Sequence, residues 1–260
     1  MPAVLFVAHP AHELRLYGWL SRTCPEVHVL TTGSRSGEGR ERIAATARLL
    51  DALGCPTGRV FGPFVDRDLY RRLMRGEADG FHAVADALRE ALVARRAARL
   101  VVDGWQLYSA AHDLAHLIGR AAAAEAASTL GRPVEVLEFA VTPEPHRTRP
   151  DALHLLLSDA EMQAKRAAAL AHPGIEAELA EVLAAGGSDA FAIEALRAPP
   201  ALADLAPAPG ERPLYEVFGE ARVKSGLYGE VLGWAHMAPV AASFVERIGA
   251  ARAVDLSEAV

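Results

Sequence analysis

Residues 4–139 alternate between short apolar runs and longer segments whose apolar residues recur at helical spacing. No other feature restricts the fold as much. Strands joined by helical crossovers pair in parallel, and their sheet must be covered on both faces. Segments 4–8, 27–30, 59–61, 99–102 and 134–139 read as strands, and 13–20, 40–53, 80–94 and 112–126 as helices. The expected fold is α/β: a Rossmann-like, mostly parallel sheet with helices on both faces, plus a helical and irregular C-terminal region.

Beyond residue 140 the texture changes, with Pro143, Pro145 and Pro150 interrupting the pattern. Segment 151–157 reads as a strand or an irregular stretch. Ser158 followed by Asp159 and Glu161 reads as a helix start. Segments 176–185 and 189–196 are expected to be helical, 199–213 a Pro-rich connection, 214–234 an extended pair, and 239–250 a final amphipathic helix. No internal repeat is visible.

The first apolar run ends in Ala8-His9-Pro10-Ala11-His12-Glu13. Two imidazoles and a carboxyl thus follow directly on a strand, where open α/β sheets place their ligands. The fourth strand ends on Asp103, and His112 opens the helix after it. Imidazole suits zinc, and three protein ligands leave a fourth position open. His9, His12 and His112 are therefore the candidate metal ligands. Asp66 and Arg67 follow the third strand, again at a carboxyl end.

The strand followed by Ala8-His9-Pro10-x-x-Glu13, with a later His at the head of a helix, resembles the LmbE/PIG-L family of zinc-dependent N-deacetylases. That resemblance implies a Zn²⁺ cofactor. It also implies hydrolysis of an N-acyl, usually acetyl, group on an amino sugar or glycoconjugate. The family motif is Ala-His-Pro-Asp-Asp-Glu. Position by position, His9 matches its first zinc ligand, His12 stands where the second Asp would, and His112 in Tyr108-Ser109-Ala110-Ala111-His112-Asp113 matches the later His. The family's general-base Asp is replaced by Ala11, and a His often found three residues before the later ligand is replaced by Ser109. Asp66 matches an acidic residue that faces the substrate. Lys165 to Ala169, Phe191 to Arg197, and Leu214-Tyr215-Glu216 with Gly219, Glu220, Arg222 and Val223 are similar to a bacterial subgroup. Asp66 is the first candidate to replace the base, with Glu13 as second. Arg67, Asp103 and His236 are candidate substrate contacts.

On this reading 1–157 is the Rossmann-like metal-binding core, and 158–260 a helical and irregular cover within the same domain. Other polar residues have plainer roles. His28 reads as structural, His116 as a polar residue on a helix face, and His82, His154 and His172 as surface residues. His146 could reach the site from a loop, and Arg222 is the obvious partner of Glu216 and Glu220. A net charge of -6 argues against a nucleic-acid groove. The first apolar run is too short for a signal peptide or a membrane span. A cytoplasmic protein without membrane contact is expected, and a homo-oligomer is left open. Cys24 and Cys55 are too few for a disulfide framework and read as buried small hydrophobes.

Two rivals to the hydrolase remain. A metal- or sugar-binding protein without catalysis is favoured by Ala11 and Ser109. A nucleotide-dependent transferase would need a glycine fingerprint after the first strand, which residues 9–13 do not supply. The Gly/Ser/Thr loop at 31–39 likewise lacks the phosphate-loop spacing.

Overall fold

A computed structural model of the chain describes residues 1–33, 39–142, 151–186 and 192–257. His146, the three prolines at 143–150, most of the loop at 31–39 and the start of segment 189–196 lie outside the described residues.

Seven strands form one sheet in the order β3-β2-β1-β4-β5-β7-β6. These are β1 (Ala3–Val7), β2 (Glu26–Thr31), β3 (Thr57–Phe64), β4 (Arg99–Asp103), β5 (Glu135–Phe139), β6 (Asp151–Leu156) and β7 (Ile193–Arg197). The first five are parallel, whereas β7 runs antiparallel to both β5 and β6. The fold expectation of a mostly parallel, Rossmann-like α/β sheet is met.

Period-two alternation splits β1 between two cores. Val4, Phe6 and Ala8 face one cluster with Leu100 and Val102, while Leu5 and Val7 face another with Val27, Val29 and Val101. The first cluster is covered by α4 (Asp79–Ala94), α5 (Ala110–Leu130) and α9 (Trp234–Ser257), the second by α1 (Tyr17–Thr23) and α2 (Gly39–Leu53). Each large apolar side chain so buried contributes on the order of 1.5–3 kcal/mol. The helix α5 is buried on nearly every side, which its Ala-rich sequence permits. Gly119 lets it approach the sheet, since a Cβ there would come within 2.5 Å of Val102 Cγ1.

The strand order turns back on itself between β1 and β4. The chain goes from β1 outward to β2 and β3, then crosses to β4 on the other side of β1. A crevice opens at the carboxyl ends of such a pair. His9 and His12 follow β1, and Asp103 and His112 follow β4.

Several sequence expectations are corrected. Segment 189–196 is not a helix where it is described: Ile193–Arg197 is β7. Its Glu, Ala, Leu and Arg favour helix, but pairing between β5 and β6 and the buried partners of Glu194 and Arg197 override that preference. Segment 214–234 holds no extended pair. Leu214–Lys224 is a helix, α8, and Gly219 serves close packing against Val231 and not a turn. The last helix begins at Trp234, so Pro239 lies inside it. Asp66–Met74 forms a helix, α3, buried through Leu69 and Leu73 one turn apart. Ser158 caps α6 (Asp159–Ala171) through a reciprocal capping box with Glu161, as its sequence suggests. The following helix, α7, spans Glu176–Gly186. Across the 157/158 boundary, β6 pairs with β7 in the one sheet. His172 is buried and Cys24 is exposed, the reverse of their sequence reading, while Cys55 is buried. Among the described residues, no helix is long and apolar enough to cross a membrane.

Candidate metal centre

The site starts from a bend. After β1, Ala11 adopts the left-handed conformation at φ 82, and a single turn of 3-10 helix follows at His12–Leu16. That conformation costs a residue with a Cβ roughly 1–2 kcal/mol. The bend puts two side chains from one short stretch into the same place: the His9 and His12 rings lie 5.1 Å apart, centroid to centroid. Arg42 pins the bend by donating to the carbonyls of Pro10, at 3.1 Å, and Gly33.

His112, in the first turn of α5, completes the group, with its ring 4.7 Å from that of His12 and 5.1 Å from that of His9. Asp103 lies fully buried at the end of β4. One of its oxygens, Oδ2, accepts both the Ala8 backbone N–H and His12 Nδ1–H, each at 2.9 Å. The carboxylate therefore ties the ends of β1 and β4 together and orients the His12 ring. Its other oxygen, Oδ1, is buried without a hydrogen-bond partner among the described residues, and so is His112 Nδ1. His12, Asp103 and His112 offer ligand atoms all within 4.8 Å of one another.

His9 has its own support. Its Nδ1 lies 2.7 Å from Thr31 Oγ1 and 3.4 Å from Asp66 Oδ1, which turns Nε2 away from both. Burial opposes the charge on Asp66, but His9 and the Thr31 hydroxyl outweigh it and lower its pKa to about 2. Asp66 is thus an anion at neutral pH. Burial also opposes the charge on His9, yet Asp66 and Asp103 leave its pKa above the ordinary value. His12 and His112 are held well below theirs, first by burial, then by neighbouring imidazoles and by Arg15. Neutral imidazoles are the form that ligates. Three imidazoles and a buried carboxylate, with Asp103 Oδ1 and His112 Nδ1 unpartnered among the described residues, make a donor set suited to a divalent ion such as zinc.

The cluster opens into a cavity of about 1030 Å³. The Tyr108 ring stacks on that of His112 at 6.1 Å, and Phe218 of α8 meets Tyr108 at 5.4 Å. Tyr70, one turn after Asp66 on α3, shares a 3.3 Å hydrogen bond with Ser109. Arg67 lines the same space. Glu13 points away from it: fully buried, it accepts from Thr46 Oγ1 at 2.7 Å, and burial pushes its carboxyl up to about 7. His236 accepts the Gly233 N–H at the start of α9 and is not among the described residues lining the cavity. His116 lies behind the site, with Nδ1 3.0 Å from the Asp103 carbonyl oxygen and 3.3 Å from Glu138. Arg222 does not pair with Glu216 and Glu220, whose partner is Arg212.

Sequence reasoning missed Arg42, Thr31, Tyr70, Tyr108 and Phe218. Only Tyr70 left a signal, its spacing of one helical turn from Asp66.

No family model matches the chain, and no curated protein matches it. Among solved structures, the chain is similar to the conserved protein TT1542 from Thermus thermophilus. That match has 21% identity and a TM-score of 0.48 over 77% of this chain and 96% of the other. The zinc-inhibited form of teicoplanin deacetylase Orf2 aligns at 12% identity and TM-score 0.46, over 75% of this chain and 96% of that one. A deacetylase–bog complex from the teicoplanin biosynthesis pathway aligns at 13% and 0.44, over 73% and 88%. Similarity at this level fixes no activity for the chain.

Proposed function

We propose that this protein is a metal-dependent hydrolase that removes an N-acyl, most simply acetyl, group from an amino sugar or glycoconjugate. The observation that carries this reading is the convergence of His9, His12 and His112 on one cavity at the β1/β4 crevice, with the buried Asp103 bonded to His12. His12, Asp103 and His112 would hold the ion, with His9 facing them. When bound, zinc polarises an amide carbonyl and makes water nucleophilic near neutral pH.

The chain's own residues complete the chemistry. Arg15 and Arg42 help keep His12 unprotonated and ready to ligate. Asp66, ionised and 3.4 Å from His9 Nδ1, would orient that ring and stabilise positive charge on it. The Tyr70 and Ser109 hydroxyls face the cavity as hydrogen-bond donors for an acyl oxygen. Tyr108 and Phe218 supply flat apolar surface for a sugar ring.

A second reading, metal and ligand binding without turnover, is favoured by Ala11, a methyl group where a proton acceptor would complete the site. Metal content and amine release from a panel of N-acetyl sugars separate the two readings. The hydrolase reading expects bound zinc and amine release. It also expects Ala11→Asp to change the rate, since general-base help is worth about 10²–10⁴-fold. Stoichiometric metal with no amine release from either protein would leave the binder.

A further inference from the structure

One wall of the cavity is built by α3 and α8, and two of its cations lack counter-ions among the described residues. Arg67 lines the cavity and makes no hydrogen bond or ion pair among the described residues. Arg222 also lines it, lies over the Tyr228 ring at 5.5 Å and donates to the Tyr228 hydroxyl at 3.3 Å, with no carboxylate partner among those residues. Arg71 lines the same wall, with Asp68 3.5 Å away in an exposed pair. Three of the carboxylates near this wall are taken up elsewhere. Asp66 sits against His9, and Glu216 and Glu220 pair with Arg212. Glu230 also lines the cavity and is exposed.

This local excess of positive charge occurs in a chain with a net charge of -6, so it is a property of the wall and not of the protein. The wall is also connected to the metal cluster. The Tyr70 hydroxyl feels the charge of Arg222, and it hydrogen-bonds Ser109, one helical turn before His112. Polar groups therefore run from Arg222 and Tyr228 through Tyr70 and Ser109 to the centre.

We infer that this wall is an anion subsite, and that the substrate carries a carboxylate or phosphate group received by the guanidinium groups of α3 and α8. The inference rests on the hydrolase reading for the word substrate, but not for the binding. Guanidinium groups match both oxyanions in shape and charge. The anionic end would lie along the α3/α8 wall while the acyl end reaches the cluster.

The test uses chelator-treated protein, so that no ion can coordinate the probe. Calorimetric titrations with inorganic phosphate and with acetate distinguish the two anions. One saturable site for at least one of them is expected, weakening with added salt. Arg67→Met and Arg222→Met should each lower the affinity about tenfold, whereas Arg59→Met, which removes a cation paired with Glu90 outside the cavity, should leave it unchanged. Arg67 is exposed, so its substitution tests the subsite even where Arg222→Met disturbs α8. Absence of saturable binding by both anions, or equal affinity in the wild type and the Arg67→Met/Arg222→Met double variant, overturns the inference. Amine release by the metal-loaded protein is read separately. Hydrolysis of neutral N-acetyl sugars without anion binding sinks the subsite alone. Anion binding without amine release from any N-acyl compound sinks the hydrolase reading alone.

Discussion

Lys165 and Glu194 form an ion pair inside the protein, and replacing one member should be costly. The ammonium of Lys165, on α6, donates to Glu194 Oε1 at 2.7 Å and to the Arg15 carbonyl at 2.9 Å, and both side chains are almost fully buried. Glu194 also accepts the backbone N–H groups of Gly18 and Trp19, at 2.9 and 2.8 Å, in the first turn of α1. The pair thus joins β7 and α6 to the segment that carries His12. Lys165→Met leaves a buried carboxylate with two N–H donors and a helix N-terminus. Removing one partner of a buried pair costs about 3–5 kcal/mol. The helix terminus offsets about 2 kcal/mol, so a loss of about 1–3 kcal/mol is expected. Glu194→Leu strands the ammonium and also strips α1 of both acceptors, so it should cost more. The double variant Lys165→Met/Glu194→Leu should cost less than the sum, because neither charge is then left unpaired. Urea unfolding of all four proteins near neutral pH measures these terms. A Lys165→Met loss under about 1 kcal/mol, as for a solvated surface pair, or strict additivity in the double variant, would refute the reasoning.

Three further outcomes follow from the same contacts. Gly119→Ala should destabilise the protein by about 1–3 kcal/mol, because its Cβ would meet Val102 at 2.5 Å; a neutral change in urea unfolding would show that α5 can shift. In the metal-free protein, Glu13 carries a folded pKa of about 7 against an ordinary 4.5. Its proton is held in the folded state and released in the unfolded one, so its stability contribution is full below 4.5 and lost as pH rises through about 7. Glu13→Gln should flatten that decline and add up to about 3 kcal/mol above neutrality, read from urea unfolding at acidic and alkaline pH; an unchanged pH slope would mean that Glu13 is charged when folded. His12→Ala and Asp103→Ala should each release bound zinc on dialysis, followed by metal analysis. Stoichiometric metal retained by His12→Ala would remove His12 from the ligand set.

The residues that the sequence made legible are those with a local pattern. The apolar runs that became β1 and β4 are buried on both faces, and their continuous hydrophobicity is itself the signature of a parallel sheet. His9, His12 and His112 stood out because each follows a strand, and strand ends of a parallel sheet share one edge. By contrast, the segment at Ile193–Arg197 reads as helix because its residues favour helix. Only the sheet edge and the partners of Glu194 and Arg197 make it a strand.

What tertiary structure alone decided is the company these residues keep. Whether Asp103 faces substrate or lies beneath the histidines depends on β1 and β4 being neighbours, since its Oδ2 bridges Ala8 and His12 across that pair. That Asp66 meets His9, and that Arg222 is left to Tyr228 while Arg212 takes the nearby glutamates, are outcomes of how α3 and α8 pack. Periodicity reports which way a side chain points from its own element. It carries no information about which distant element lies opposite, and the charge state and binding capacity of this centre are set by those distant neighbours.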